Sequence, residues 1–581
     1  MTFTSDKDVL GIISQLSSLE EMMDGLLPLS AALELKFTPV PAYTMLDQAV
    51  ARFGSRPAID FLGKRYHWTE IGQMVDAAAA GLQKIGVARG VKVGLCLPNT
   101  PYFVVMYYAT LKAGGTVVNF NPLYTEREIE NQAKDAGVEI IVSLDLALIQ
   151  DKIGKLAARG VFKRVIMCSM EAALPGLQAL LFRLFKAKEL ATIPNQSPYI
   201  TFAALSAIAT KPAPVVIDPL SDVATLQFTG GTTGVPKAAM LTHANITANV
   251  QQVLASGPPL VEGEERIMGI LPFFHVFAMT TVMNLGIAIG AELILLPRLD
   301  IKLLMQTILR RRPTIMPGVP TLYTAISNAA QGKDGKGQDL SFIKFCISGG
   351  APIAAEVADR FERLSGCKVL EGYGLSETSP VVTATPVSGV RRGSVGIALP
   401  GTVVEIRDPA SPQTILAQGE RGEICVRGPQ VMKGYYNRPA ETEAVFVDGA
   451  LRTGDIGYLD EDGYLFIVDR IKDLILCGGY NVYPRVIEEA AYLHPAVQDA
   501  IAIGIPDSYR GQAPKLFVTL QPGATATAAE IKTFLQEHLN KIEIPKDVEI
   551  RDTLPKTMVG KLSKKELVAE ELGKLAAKTP P

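Results

Sequence analysis

Between residues 91 and 144, short apolar runs alternate with helical patterns. No other feature constrains the fold as strongly. VKVGLCLPN (91–99) reads as a strand and a turn, TPYFVVMYYATLKAGG (100–115) as a helix stopped by glycine, and TVVNFNP (116–122) as a strand. REIENQAKDAG (127–137) then reads as a helix and VEIIVSL (138–144) as a strand. Strands separated by helices are joined by crossovers, and crossovers build parallel sheets covered on both faces. The same beat returns around 292–350, so two doubly wound layers and an α/β class are expected.

The pattern changes twice further along. Near 395 the segments GTVVEIRDP, GEICVRGP and GYLFIVDR read as strands with little helix between them, a β-rich subdomain over 395–471. After DRIKDLILCGGYNVYP (469–484) the pattern is that of a small α+β unit: helix 485–493, strands near 498–504 and 514–521, helix 528–540. Residues 1–40 are Leu-rich and helical in pattern, and Pro39-Val40-Pro41 marks a linker. Three parts are expected: a helical extension over 1–40, a large domain over 41–471 and a C-terminal domain over 472–581. At 581 residues the chain is too long for one ordinary domain.

Bulk properties exclude several classes. A net charge of -2 carries no electrostatic footprint for nucleic acid. The six cysteines are scattered, with neither metal-ligand spacing nor a disulfide framework, which suits a reducing, cytoplasmic setting. MTFTSDKDVL lacks the basic flank and apolar run of a secretory signal. Ile267 to Ala291 contains no Asp, Glu, Lys or Arg, but Pro272, His275 and Asn284 interrupt it. A buried loop and helix are expected there, not a membrane span.

FTGGTTGVPK (228–237) has the composition of a loop that wraps phosphate. Glycines let backbone N–H groups crowd an anion, threonines add hydroxyl donors, and lysine adds charge. It is not a Walker A loop, because Val235 and Pro236 separate Gly234 from Lys237. VATLQF before it and KAAMLTH after it both look extended, with Thr242 placed to cap the helix that follows. Two readings stay open for the loop alone: a hairpin that holds phosphate, and a plain Gly/Thr hairpin turn.

FTGGTTGVPK resembles the phosphate loop of the adenylate-forming, acyl-activating superfamily, and six further segments follow in that superfamily's order. LPFFHVF (271–277) resembles its aromatic-His segment. ISGGAP (347–352) and EGYGLSET (371–378) resemble its adenine stretches. LRTGD (451–455) and DRIKD (469–473) resemble its ribose and hinge motifs, and PKTMVGK (555–561) its catalytic-lysine motif. The resemblance runs from about Pro41 to Lys564 and implies a large adenylation domain with a small mobile C-terminal domain.

The resemblance also implies roles. Thr229, Gly230, Gly231, Thr232, Thr233, Gly234 and Lys237 would cradle the β- and γ-phosphates of ATP. Gly349, Gly350, Ala351, Glu371, Gly372, Tyr373 and Gly374 would line the adenine, with Tyr373 offering a flat face. Asp455 would accept from the ribose hydroxyls, and Arg470 and Asn481 join the nucleotide set. Thr378 would donate to the α-phosphate, Glu377 would hold Mg²⁺, and Lys561 would reach the α-phosphate and carboxylate oxygens. Lys561, Thr378 and Lys237 are thus the implied catalytic residues. His275, Phe274 and Gly349 fall on the acyl side, Gly478 and Gly479 on the CoA route, and Lys472 at the hinge.

NPLYTEREIENQ (121–132) and the run from 448 to 489 look most like fatty acyl-CoA synthetases of long and medium chain. Ala238, Ala450, Ile471, Gly478 and Lys564 depart from that pattern, and they bear on chain length and CoA contacts. The expected activity is conversion of a fatty acid and ATP to acyl-AMP, then to acyl-CoA, with Mg²⁺. Two alternatives remain: an aryl or other acid–CoA ligase on the same scaffold, and a catalytically weak acyl-nucleotide binder. A homodimer remains open.

LPGLQALLFRLFKAKEL (174–190) carries Leu177, Leu180, Leu181, Leu184 and Phe185 on one helical face, with Arg183, Lys186 and Lys188 towards the other. One reading is peripheral contact with the inner membrane face. The other is a helix packed on its own domain.

Overall fold

The computed structural model describes residues 37–208, 211–229, 236–331, 337–477, 480–507, 509–556 and 562–576. The expected extension over 1–40 lies almost wholly outside them. Seven strands form one sheet, in the order Tyr199–Thr201, Arg164–Cys168, Ile140–Leu144, Lys92–Cys96, Thr116–Asn119, Val223–Thr229 and Lys237–Thr242. All neighbours are parallel except the last two, which form an antiparallel hairpin. A second, nine-stranded sheet runs Ile397–Ala398, Val381–Ala384, Val369–Gly374, Phe345–Gly349, Ile315–Gly318, Arg266–Gly269, Glu292–Leu295, Pro57–Phe61 and Lys64–His67. Its antiparallel pairs sit at its two edges. The two expected α/β layers are therefore present, with mixed rather than purely parallel sheets.

Local chemistry explains the elements between the strands. The helix Glu126–Ala136 starts at Thr125, whose hydroxyl accepts from the Glu128 N–H while the Glu128 carboxylate returns to the Thr125 N–H. This reciprocal cap satisfies two orphan donors of the first turn. Gly137 ends the helix in a left-handed conformation, φ 68°. The helix Pro101–Lys112 begins with proline at its first turn and buries every residue from Pro101 to Leu111. An all-apolar helix of this kind belongs inside a protein.

Buried polar groups join the sheets where that helix lies. The Tyr107 hydroxyl meets Thr225 on the first sheet at 3.2 Å, and the Tyr108 hydroxyl donates to Asn284 at 2.8 Å. Asn99 follows a strand of the first sheet. Its amide donates to the carbonyls of Gly269 and Leu271, beyond a strand of the second sheet, and accepts from the Phe273 N–H. Asn249, on the helix His243–Ser256, donates to the Val381 carbonyl at 2.8 Å and accepts from the Val381 N–H at 3.0 Å.

The β-rich part is a five-stranded sheet: Val403–Arg407, Gly422–Arg427, Ala450–Leu459 and Phe446–Val447 in order, with Leu465–Arg470 paired to Ala450–Leu459. The C-terminal sheet holds Tyr480–Val482, Ile475–Cys477, Gly511–Leu520 and Val497–Asp507, with Asp547–Ile550 paired to Gly511–Leu520. It has its own core, including Ile475, Ile487, Leu516, Val518, Ile531 and Leu535. The helices expected at 485–493 and 528–540 are Pro484–Tyr492 and Ala528–His538. The uncharged stretch from Ile267 to Ala291 resolves into a strand end, a turn and short buried helical segments, including a π-helical Met279–Asn284. Among the described residues, no helix is long and apolar enough to cross a membrane.

The segment 174–190 forms the helix Gly176–Phe185, in which no residue is buried. Leu177, Leu184 and Phe185 are 71%, 64% and 78% exposed, so the described residues leave its apolar face uncovered.

Replacing Asn249 with alanine leaves the Val381 N–H without its side-chain partner in a dry interior and leaves the carbonyl only the longer contact from Gln430 at 3.4 Å. Each unpaired group costs about 1–3 kcal/mol. We expect Asn249→Ala to melt clearly below the parent in calorimetry, while Gln83→Ala, whose amide contacts are exposed, melts near it.

Candidate active site

The phosphate-loop segment is a hairpin. Val223–Thr229 and Lys237–Thr242 pair antiparallel, with Thr229 opposite Lys237. The Thr229 hydroxyl donates to the Lys237 carbonyl at 3.4 Å. Thr242 caps the next helix, accepting from the Asn245 N–H at 3.1 Å. Gly230, Gly231, Thr232, Thr233 and Gly234 lie outside the described residues, as do Gly478, Gly479 and Lys561. Asn481 lies on the strand Tyr480–Val482.

Gly349, Gly350, Ala351 and Glu371 to Gly374 lie at the carboxyl ends of two parallel strands, where open α/β sheets bind ligands. Gly349 ends the strand Phe345–Gly349, and Gly350 follows with φ 82°. A Cβ at Gly349 would stand 3.0 Å from the Phe277 ring, so a side chain there would press on the aromatic segment. Ala351 follows at the same edge. Glu371, Gly372, Tyr373 and Gly374 form the end of the neighbouring strand Val369–Gly374. At Gly374 a Cβ would fall 1.8 Å from the Pro380 carbonyl oxygen, so only glycine fits that turn.

That turn carries Glu377 and Thr378. Glu377 is half-buried, and its Oε1 accepts from the Tyr435 hydroxyl at 2.7 Å. Desolvation pushes its carboxyl above the ordinary range, with the Tyr435 hydrogen bond opposing. Thr378 is fully buried. Its hydroxyl donates to the Pro380 carbonyl and accepts from the Leu375 N–H. In this arrangement the Thr378 proton holds the turn, so donation to a phosphate requires the O–H to rotate.

The ribose candidates meet across two sheets. Asp455 is 3% exposed; its Oδ2 accepts from the Tyr373 hydroxyl at 2.7 Å, and its Oδ1 lies 3.0 Å from Arg470 Nε. Burial raises the Asp455 pKa, and the Arg470 guanidinium is the main opposing influence. Asp455 in turn pushes the Arg470 pKa up. The Tyr373 ring is itself buried against Val382, Val395 and Ile424. Its hydroxyl therefore fixes Asp455 from a buried position.

His275 and Phe274 stand at the far end of the cluster. His275 is half-buried and begins a short helix, its Nδ1 accepting from the Phe277 N–H at 3.4 Å. The Phe274 carbonyl accepts from Gln227, on the first strand of the phosphate hairpin, at 3.0 Å. Lys472 is exposed in the one-turn helix Ile471–Asp473, near enough to Asp455 for its charge to oppose the rise in that carboxyl's pKa.

Among the described residues, no group of three or more His, Cys, Asp and Glu side chains could hold a metal ion. Glu377 fits Mg²⁺ in another way. That cation is often held by one or two carboxylates, with substrate phosphates and waters completing the shell. A carboxylate whose pKa is raised by burial, beside the hairpin that ends the first sheet, suits that ligand set.

Two features escaped sequence reasoning. Tyr435 contacts both Glu377 and the Lys237 ammonium, which lies 5.2 Å from the Tyr435 ring centroid. Gln227 ties the hairpin to the aromatic segment. No local sequence signal marked Tyr435; the structure shows its neighbour Gly434 held at φ 140°.

Residues 46–436 match the AMP-binding enzyme family, and residues 486–561 match the AMP-binding enzyme C-terminal domain. The chain belongs to the AMP-binding enzyme family. A long-chain-fatty-acid–CoA ligase of Bacillus subtilis (strain 168) is 43% identical, covering 92% of this chain and 95% of its own. The enzyme of the same name from Escherichia coli O157:H7 is 37% identical over 91% and 94%. A 4-coumarate–CoA ligase of Oryza sativa subsp. japonica is 31% identical over 91% of each. Among solved structures, ATP-bound MatB from Rhodopseudomonas palustris superposes with a TM-score of 0.79 at 28% identity, covering 91% of this chain and 99% of that one.

Glu371 supplies a pH test. It is 8% exposed, and burial pushes its carboxyl up to about 7, against 4.5 ordinarily. A raised carboxyl holds its proton more tightly when folded, so stability falls as pH rises from about 4.5 towards 7 and stays lower above it. Glu371→Gln removes the ionisation but keeps an oxygen that can accept from the Ile353 N–H. The variant is expected to melt above the parent at pH 8 and level with it near pH 4, read by calorimetry across that range.

Proposed function

We propose that this chain activates a long-chain fatty acid with ATP and transfers the acyl group to CoA. The likeness to long-chain-fatty-acid–CoA ligases carries this reading: 43% identity over 92% of the chain. The site's donor set supports it. In the first step a carboxylate oxygen of the acid bonds to the α-phosphorus, and the bond to the β-phosphate oxygen breaks, releasing pyrophosphate. Two anions must meet, so donors aimed at the phosphates matter most. Thr229 and Lys237 stand at the hairpin's base to hold the β- and γ-phosphates. Asp455, fixed by Tyr373 and Arg470, would accept the ribose hydroxyls. Mg²⁺, held by Glu377 and phosphate oxygens, would neutralise charge at the triphosphate. Lys561 would bridge the α-phosphate and the carboxylate.

In the second step the CoA sulfur bonds to the acyl carbon and AMP leaves. Lys472 would act as the hinge that clears Lys561 and brings Gly478 and Gly479 to the thiol's path. The likeness to a 4-coumarate–CoA ligase keeps aryl acids as the second reading. A pyrophosphate-release assay over saturated acids of graded length and over hydroxycinnamates separates the two. Turnover is expected with long-chain acids, and turnover confined to aryl acids would replace the first reading by the second.

The long-chain acid would be drawn from a membrane surface through the helix Gly176–Phe185. Its exposed leucines and Phe185 form an apolar face, while exposed Arg183, Lys186 and Lys188 suit an anionic lipid surface. Leu180→Ser with Leu184→Ser is expected to abolish co-sedimentation with phosphatidylglycerol-containing vesicles and leave turnover of detergent-dispersed acid at the parent rate. Parental co-sedimentation by the double variant would overturn this contact. A dimer that dissociates in that variant would assign the face to a second copy of the chain.

A further inference from the structure

The segment Met432–Tyr436 lies outside every motif considered above, yet it touches both halves of the phosphate site. Its backbone runs beside the second strand of the phosphate hairpin. The Lys433 N–H donates to the Met240 carbonyl at 3.0 Å, the Met240 N–H to Gly434 at 2.9 Å, and the Tyr436 N–H to Ala238 at 2.8 Å. At its start the Met432 N–H donates to the Glu377 carbonyl at 2.7 Å. One short segment thus fixes the backbone of Glu377 against the strand that begins with Lys237.

The side chain of Tyr435 repeats that link. It is 8% exposed, its hydroxyl donates to Glu377 Oε1 at 2.7 Å, and its ring lies under the Lys237 ammonium. The Tyr435 N–H donates to the Thr442 hydroxyl at 2.9 Å, which fixes the residue from the other side. The close packing extends to Gly434, where a Cβ would stand 2.6 Å from Thr442 Cγ2.

We propose that Tyr435 is a positioning residue for the triphosphate–metal site: its hydroxyl aims the Glu377 carboxylate while its ring holds Lys237 beside it. A carboxylate with a free rotor presents its oxygens in many directions. One with a fixed hydrogen bond presents its remaining lone pairs in few, and outer partners of this kind set metal affinity. The ring attracts the lysine ammonium through its π face, which holds the cation near the hairpin without neutralising it.

The proposal rests on Glu377 as the Mg²⁺ carboxylate, and the test separates the two. Tyr435→Phe keeps the ring and removes the hydroxyl. In the presence of ATP and without fatty acid, Mn²⁺ binding read by electron paramagnetic resonance is expected to weaken roughly 10- to 100-fold. The Mg²⁺ concentration for half-maximal pyrophosphate release is expected to rise with it, and high Mg²⁺ is expected to restore the rate. Thioester formation from supplied acyl-AMP should stay at the parent value, and the melting temperature should fall only by what one lost hydrogen bond costs. A role confined to packing would move the melting temperature and leave the Mg²⁺ dependence alone. Loss of Mn²⁺ binding in Glu377→Gln with parental binding in Tyr435→Phe overturns the role of Tyr435. Parental binding in both variants overturns the metal assignment beneath it.

Discussion

The two large sheets can share one site only if the backbone at their seam is satisfied without water. Asn99 and Asn249 meet that requirement. Each is a buried amide that both donates to and accepts from main chain in, or just after, a strand of the second sheet. A side-chain amide is well suited to this, because one planar group can complete both sides of a peptide's hydrogen bonding. The consequence is positional. Asn99 holds the crest after Lys92–Cys96 against the start of the aromatic segment, and Asn249 holds the helix after the phosphate hairpin against Val381. The turn with Glu377 and Thr378 immediately precedes Val381, so the seam also sets the distance from the hairpin to the carboxylate.

Charge within that frame is distributed unevenly. Asp455 and Glu377 both have raised pKa values because burial outweighs the partners they have. Arg470 is the cation nearest the ribose carboxylate, and it is 53% exposed, where solvent screens it. A site in this state is short of donors and positive charge around its carboxylates. Ribose hydroxyls beside Asp455 and a divalent cation beside Glu377 would relieve both.

What the sequence discloses depends on how far apart the partners lie. The alternation of strands and helices is legible because its punctuation is local: Thr125 and Glu128 cap one helix from within four residues, and Gly137 ends it. The hairpin at 223–242 is legible because extended flanks bracket the glycines. The antiparallel edges of the second sheet are not legible, since a strand's alternation does not state its direction. Tyr435 is hidden for a related reason: it sits 58 residues from Glu377, and nothing near it in the chain marks the pairing. Asn99 and Asn249 are further still, 170 and 132 residues from their partners. Tyr373 stands between these cases. Its candidacy for the nucleotide site follows from a motif, but its bond to Asp455 spans 82 residues and appears only in the fold.

The proposed hinge is consistent with how the C-terminal body is attached. Its core is separate from that of the large domain, so rotation about Lys472 would not open a hydrophobic interior. The link across the turn Ile471–Asp473 is polar. Asp469 Oδ2 accepts from the Arg485 N–H at 2.8 Å, at the start of the helix Pro484–Tyr492. Lys564 and Glu488, paired at 3.1 Å, both belong to the C-terminal body and add nothing to that link. A carboxylate at a helix N-terminus gains from both the free N–H groups and the helix dipole, yet water can replace it. Apolar contacts of similar extent would have to be dehydrated again on every turnover. A polar contact such as Asp469 to Arg485 exchanges one hydrogen-bond partner for another, which suits the proposed hinge.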